Sequence, residues 1–75
     1  MNYVAIELKV TPDGTFEVST FKKSDKNEAE KAFHSILSSA ATSTNPVHAA
    51  IVLNEFGEVA KRPECYKHET EKPAE

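Results

Sequence analysis

The chain has no tryptophan, one methionine, one cysteine and two glycines among its 75 residues. Each scarcity excludes something. With Cys65 alone, no intramolecular disulfide can form, so a disulfide-stapled secreted domain is ruled out and a reducing compartment fits better. Both glycines, Gly14 and Gly57, fall in predicted turns, which leaves none for a phosphate-cradling loop. No stretch approaches the roughly 20 consecutive apolar residues that cross a bilayer. The opening Met1-Asn2-Tyr3-Val4 has neither a basic n-region nor a cleavage site, and is read as carrying no signal peptide. Basic charge is short too: nine Lys and Arg stand against twelve Asp and Glu, a formal net charge of −3. Phosphate contacts supply most of a nucleic-acid binder's affinity, so nucleic acid is not an expected partner. The clusters Lys22/Lys23/Lys26 and Lys61/Arg62/Lys67 read as solvated lysines that blunt sheet edges.

What is present is a clear periodicity. Tyr3–Val10 alternates, with Val4, Ile6, Leu8 and Val10 on one face and Tyr3, Ala5, Glu7 and Lys9 on the other. That period of two marks a strand. Thr11-Pro12-Asp13-Gly14 is a turn, with proline presetting φ and glycine free to take a positive φ. A second strand is expected over Thr15–Phe21, with Phe16, Val18 and Thr20 inward. Asp25 and Glu28 suit a helix start as N-cap and N3 of a capping box. Ala29, Ala32, Phe33, Ile36, Leu37 and Ala40 then recur at helical spacing as one apolar stripe. Pro46 ends the helical region.

Val47–Leu53 is the most continuously apolar run and reads as a central strand. Asn54-Glu55-Phe56-Gly57 turns the chain, and Glu58–Tyr66 forms a fourth strand. Pro63 puts that strand at an edge or marks a bulge in it. The expected fold is α+β: a ββαββ domain over residues 1–68, with a four-stranded antiparallel sheet in the order 2-1-3-4 and one helix on one face. Residues 69–75 are charged, lack large hydrophobic side chains and are expected to be a disordered tail. A core of this size is marginal, because a domain of about 60 residues buries only about 60% of its unfolded surface.

The helix stripe is expected to lie on the Val4/Ile6/Leu8 face. The opposite face would then carry Tyr3, Ala5, Glu7, His48, Ala50 and Val52, a flat and partly apolar patch. Two copies packed through it would relieve the small core, which makes a homodimer or higher oligomer the expected state. On that reading His48, Tyr3, Ala50, Val52 and Tyr66 form the binding face. His48 is either an interfacial histidine packed beside Tyr3 or Tyr66, or the contact for a small anionic, nucleotide-like ligand at the subunit interface.

Other constellations are weaker. Cys65-x2-His68 is half of a zinc site, with His34 and His48 on different surfaces, so no metal or other cofactor is expected. Cys65 is read as a partly buried thiol, His68 as a surface imidazole at a strand end and His34 as solvent-facing. A Cys65–His48 pair would need hydrogen-bond reach and an orienting third group, and no catalytic residues are assigned. Phe56 at a turn tip is either tucked under its hairpin or an exposed partner contact.

Several stretches taken together carry a resemblance: Tyr3-Val4-Ala5-Ile6-Glu7, Pro12-Asp13-Gly14-Thr15, Asn27-Glu28-Ala29-Glu30, Phe33-His34-Ser35-Ile36-Leu37, Ala40-Ala41, Pro46-Val47-His48-Ala49-Ala50 and Cys65-Tyr66-Lys67-His68-Glu69. This pattern, over roughly residues 3 to 69, resembles short uncharacterised proteins of gut Firmicutes and their phages and prophages. The resemblance implies a setting and no activity. In that setting the expected role is non-enzymatic binding in the bacterial host cytoplasm. The partner would be a second copy, a host protein or a nucleotide-like ligand, with no membrane. The competing expectations are a virion accessory or structural protein and, third, a small enzyme using His48 or Cys65.

Overall fold

Alternating side chains do build the sheet, and a computed structural model describes it over residues 1–68. The elements are β1 (Tyr3–Val10), β2 (Phe16–Lys23), α1 (Lys26–Thr42), β3 (Val47–Asn54) and β4 (Val59–Lys67). The strands pair antiparallel in the order β2-β1-β3-β4. This is the expected α+β architecture, with the two hairpins joined through β1 and β3. The expected tail, residues 69–75, lies outside the described residues.

The first hairpin turn is closed by its own side chains. Gly14 takes φ +93° and donates its N–H to the Thr11 carbonyl at 2.8 Å. Asp13 accepts from the Thr11 hydroxyl and, at 3.0 Å, from the Thr15 N–H. These hydrogen bonds, that from Thr11 first, hold the Asp13 carboxyl below its ordinary value. Its folded pKa is therefore lower than its unfolded one. The carboxylate's contribution to stability is complete above the unfolded value and is lost as pH falls through the lowered one. Carboxyl NMR titration should show this depressed midpoint, and Thr11→Val should move it back up. An Asp13 midpoint at the ordinary aspartate value in the native protein would refute the turn network.

Asp25 occupies the N-cap of α1 in extended backbone, at φ −139° and ψ 134°, but makes no side-chain cap bond. The expected capping box is absent. The first turn, Lys26 to Glu28, is exposed, so water can serve its free N–H groups. The other end of the helix is better held. The Ala40 carbonyl accepts from the Ser43 N–H at 3.3 Å and from the His68 ring Nε2 at 2.7 Å. His68 is thus a half-buried clamp between the end of β4 and the end of α1, rather than a surface imidazole.

The expected assignment of faces is reversed. The buried core is Ala5 on β1, Ala50 and Val52 on β3, and Ala29, Phe33, Ile36 and Ala40 on α1, with Tyr3, Ala32, Leu37 and Ala60 packed around it. The helix therefore covers the face of Tyr3, Ala5, Glu7, His48, Ala50 and Val52. The face of Val4, Ile6, Leu8 and Val10 is the open one, and Phe16 and Val18 lie on it at 65% and 52% exposure. The physical reason is contact distance. The small Ala5 and Ala50 leave room for α1, and Phe33 is the one large ring buried in the cluster they share.

β4 is an edge strand with irregular pairing, as Pro63 suggested. Glu64 pairs with Ala50, Lys61 with Val52 and Val59 with Leu53, so β4 carries extra residues on both sides of Lys61. The bulge turns Lys61 onto the helix side, where its Nζ lies 5.8 Å from the Phe33 ring centroid.

Candidate functional site

Two features compete for the functional site: the polar group around His48 and the open face of the sheet. His48 is the one buried polar side chain among the described residues, at 3% exposure. Its position follows from the register. It faces Lys9 on β1 and Tyr66 on β4, and it points to the helix side close to the end of α1. Its Nε2 lies 2.6 Å from Glu7 Oε2, and its Nδ1 lies 3.2 Å from Ser43 Oγ. Ser43 Oγ also accepts from the Asn45 N–H at 3.2 Å. The Glu7 carboxylate can only accept, so the ring donates its Nε2–H to it, and in the neutral tautomer this fixes, Nδ1 accepts from the Ser43 hydroxyl. No buried side-chain N or O atom among the described residues lacks a partner.

A serine, a histidine and a glutamate in series invite comparison with a nucleophilic triad. The chemistry does not follow here. Such a site needs an accessible nucleophile and donors placed for an oxyanion. The adjacent Asn45 N–H is already spent on the Ser43 oxygen. A cleft of about 570 Å³ does exist, but it is at the far end of the sheet, lined by Asn2, Tyr3, Lys22, Lys23, Ser24, Asn54 and Glu55. There the Asn54 amide is committed to its own turn with Phe56 and Glu58, and Glu55 accepts from the Asn2 N–H.

The residues expected to form a binding face are therefore elsewhere. Ala50 and Val52 are wholly buried beneath α1, and His48 is nearly so. Tyr3 is half-buried against the core, and Tyr66, at 41% exposure, stacks on His68 with ring centroids 6.1 Å apart. His48 does bond across the sheet, but to Glu7 rather than to a tyrosine. Cys65 is exposed, not partly buried, and Phe56 is 69% exposed at its turn. His34 is exposed, as expected. No three His, Cys, Asp or Glu side chains gather to hold a metal ion among the described residues.

The open face is built from the other set of alternating positions. The register arranges it in rows. Lys22, Val4, Leu53 and Val59 cross one end, and Phe16, Val10, Val47 and Lys67 cross the other. Between them run Thr20, Ile6 and Ile51, beside the bulged Arg62–Pro63, and then Val18, Leu8, Ala49 and Cys65. The two central strands present only aliphatic side chains here, and no acidic residue occupies a paired position. Comparison of the chain with known protein families, curated proteins and solved structures finds no match.

Proposed function

We propose that this chain is a small non-enzymatic binding protein that works by protein association through the open face of its sheet. The setting is the one implied by its resemblance to short phage and prophage proteins, the cytoplasm of a bacterial host. The single observation that carries the reading is the width of the apolar surface. It runs from Phe16 on one edge strand to Val59 on the other, with no element among the described residues laid across it. Contiguous exposed apolar patches on this scale mark interaction sites. The burial and full hydrogen bonding of His48 support the non-enzymatic part, because a substrate would first have to displace Glu7 and Ser43. The same burial counts against a ligand held directly by His48. No helix among the described residues is long and apolar enough to cross a membrane.

Chemical cross-linking in bacterial cells that express the chain tests this. Wild type should give species heavier than the monomer. Leu8→Lys, on the open face, should abolish them, while Lys31→Glu, on the exposed side of α1, should not. Absence of such species in wild type, or their persistence in Leu8→Lys, would overturn the reading.

A further inference from the structure

We infer that the open sheet face is covered by a second copy of this chain, packed sheet on sheet about a two-fold axis in the plane between the sheets. The inference rests on the association reading above and names the partner. The first support is the pattern of the four corners. Lys22 and Lys67 occupy one diagonal of the face, and Phe16 and Val59 occupy the other. For aligned sheets, a two-fold axis in that plane runs close to the strand direction or close to perpendicular to it. Along the strands, it sets β2 over the partner's β4 and keeps each row, so Lys22 meets Val59 and Lys67 meets Phe16. Across the strands, it sets each strand over its own copy and reverses the rows, so Lys22 meets Phe16 and Lys67 meets Val59. In neither case does a lysine face a lysine. Each instead lays its methylenes on an apolar side chain and keeps its ammonium at the rim. Over Phe16 that ammonium also gains a cation–π contact. Phe16 and Val59, at 65% and 54% exposure, are among the most exposed large hydrophobics of the sheet and gain cover from the pairing. A surface that matches itself in this way is what an isologous contact requires.

The second support is area. The four strands have eight or nine residues each. At about 3.3 Å per residue and about 4.8 Å per strand, the face covers about 500 Å² in plan, and more over its side-chain relief. Stable interfaces bury about 600–1,000 Å² per partner, so this one face approaches the area a dimer needs. The aliphatic centre and lysine rim also match the anatomy of homodimer contacts, which are apolar within and polar at the edge. A partner chosen for charge would instead leave two lysines and the bulged Arg62 seeking acidic groups at widely separated corners. Aligned packing at about −30° between strand directions is the ordinary arrangement of two twisted sheets.

Light scattering on the purified chain decides the matter. Wild type at about 100 μM should show twice the monomer mass of 8.3 kDa. Leu8→Lys should weaken the dimer by about 100-fold or more, since the change enters the interface twice. Should Leu8→Lys fail to fold by circular dichroism, Val18→Lys serves in its place, because Val18 is already 52% exposed on an edge strand. A wild-type monomer overturns the second copy. If face-dependent cross-links still form in cells, that outcome leaves the association reading standing with a different protein as partner. A wild-type dimer that survives both lysine variants overturns the sheet-on-sheet arrangement and assigns the contact to another surface, such as the β2 edge. The association reading itself fails if cross-links in cells are absent in wild type or persist in Leu8→Lys.

Discussion

Phe33→Ala is expected to remove about 3–5 kcal/mol of stability, the cost typical of emptying a buried aromatic site. Among the described residues, Phe33 and Val52 are the largest fully buried side chains, and the Phe33 ring shares its core cluster with the alanines at positions 5, 29 and 50. Those alanines cannot reach into the space the ring would leave, so little relaxation can offset the loss. The protein has little to spare. At about 0.05–0.15 kcal/mol per residue, a chain of this length has about 4–11 kcal/mol in total. The variant should therefore show a strongly lowered urea midpoint by circular dichroism, one near zero where the wild type lies at the lower end of that range. Phe33→Leu keeps most of the volume and should cost no more than about 1.5 kcal/mol. The comparison must be made at one protein concentration, because dimerisation would add stability that depends on concentration. A loss below about 1 kcal/mol for Phe33→Ala would mean that the helix is not held by this contact.

The central role of Phe33 explains why the sequence shows the elements and their order but misleads about the faces. Strand and helix periods are local signals, and they are strong in Tyr3–Val10 and in Ala29–Ala40. The antiparallel order follows from them with few alternatives. Which face the helix covers is a different kind of question, because both faces of β1 and β3 contain apolar residues. Counting large side chains favours Val4, Ile6, Leu8 and Ile51. Fit favours Ala5, Ala50 and Val52. A helix about 10 Å across covers little more than two strands spaced about 4.8 Å apart. Its side of the sheet therefore need be apolar only at the centre, with polar edges. Glu17 and Ser19 on β2 and Lys61 and Glu64 on β4 follow that pattern, while Phe21, paired with Ala5, extends the apolar centre onto β2 in one row. The other face stays apolar from Phe16 to Val59, which is wider than a single helix can cover. Read across the strands rather than along each one, the sequence does contain the answer, but only once the register is known.

The His48 group shows the same limit. Glu7 and His48 are 41 residues apart, and nothing in either strand alone signals their contact. Ser43 was hidden differently. Its position at the end of α1, where the chain turns into β3, is a capping position, and serine there reads as a helix terminator. The contact arises because the helix ends directly above the strand position of His48. Burial of a histidine on an apolar face was the available clue, since such a ring must find partners for both nitrogens.

Glu7→Val should cost about 2–3 kcal/mol, because it leaves the His48 Nε2–H buried without an acceptor. The Glu7 side chain is only 15% exposed and that of His48 only 4%, so water has little room to take the place of the carboxylate. His48→Leu alone should likewise be destabilising, stranding Glu7 and the Ser43 hydroxyl. The double variant Glu7→Val/His48→Leu should recover much of the sum, since replacing both partners of a buried polar pair by apolar groups is often close to neutral. Urea unfolding of the two single variants and the double variant gives the coupling energy directly, and residues in one hydrogen-bond network typically couple by about 0.5–3 kcal/mol. Additive losses would mean that the 2.6 Å contact contributes nothing beyond its two side chains. The same cycle separates structure from association. The group lies under the helix, on the far side of the sheet from the proposed interface. Folded members of the cycle should therefore keep the wild-type dimer mass while losing stability, whereas Leu8→Lys should lose the dimer without disturbing the His48 bonds.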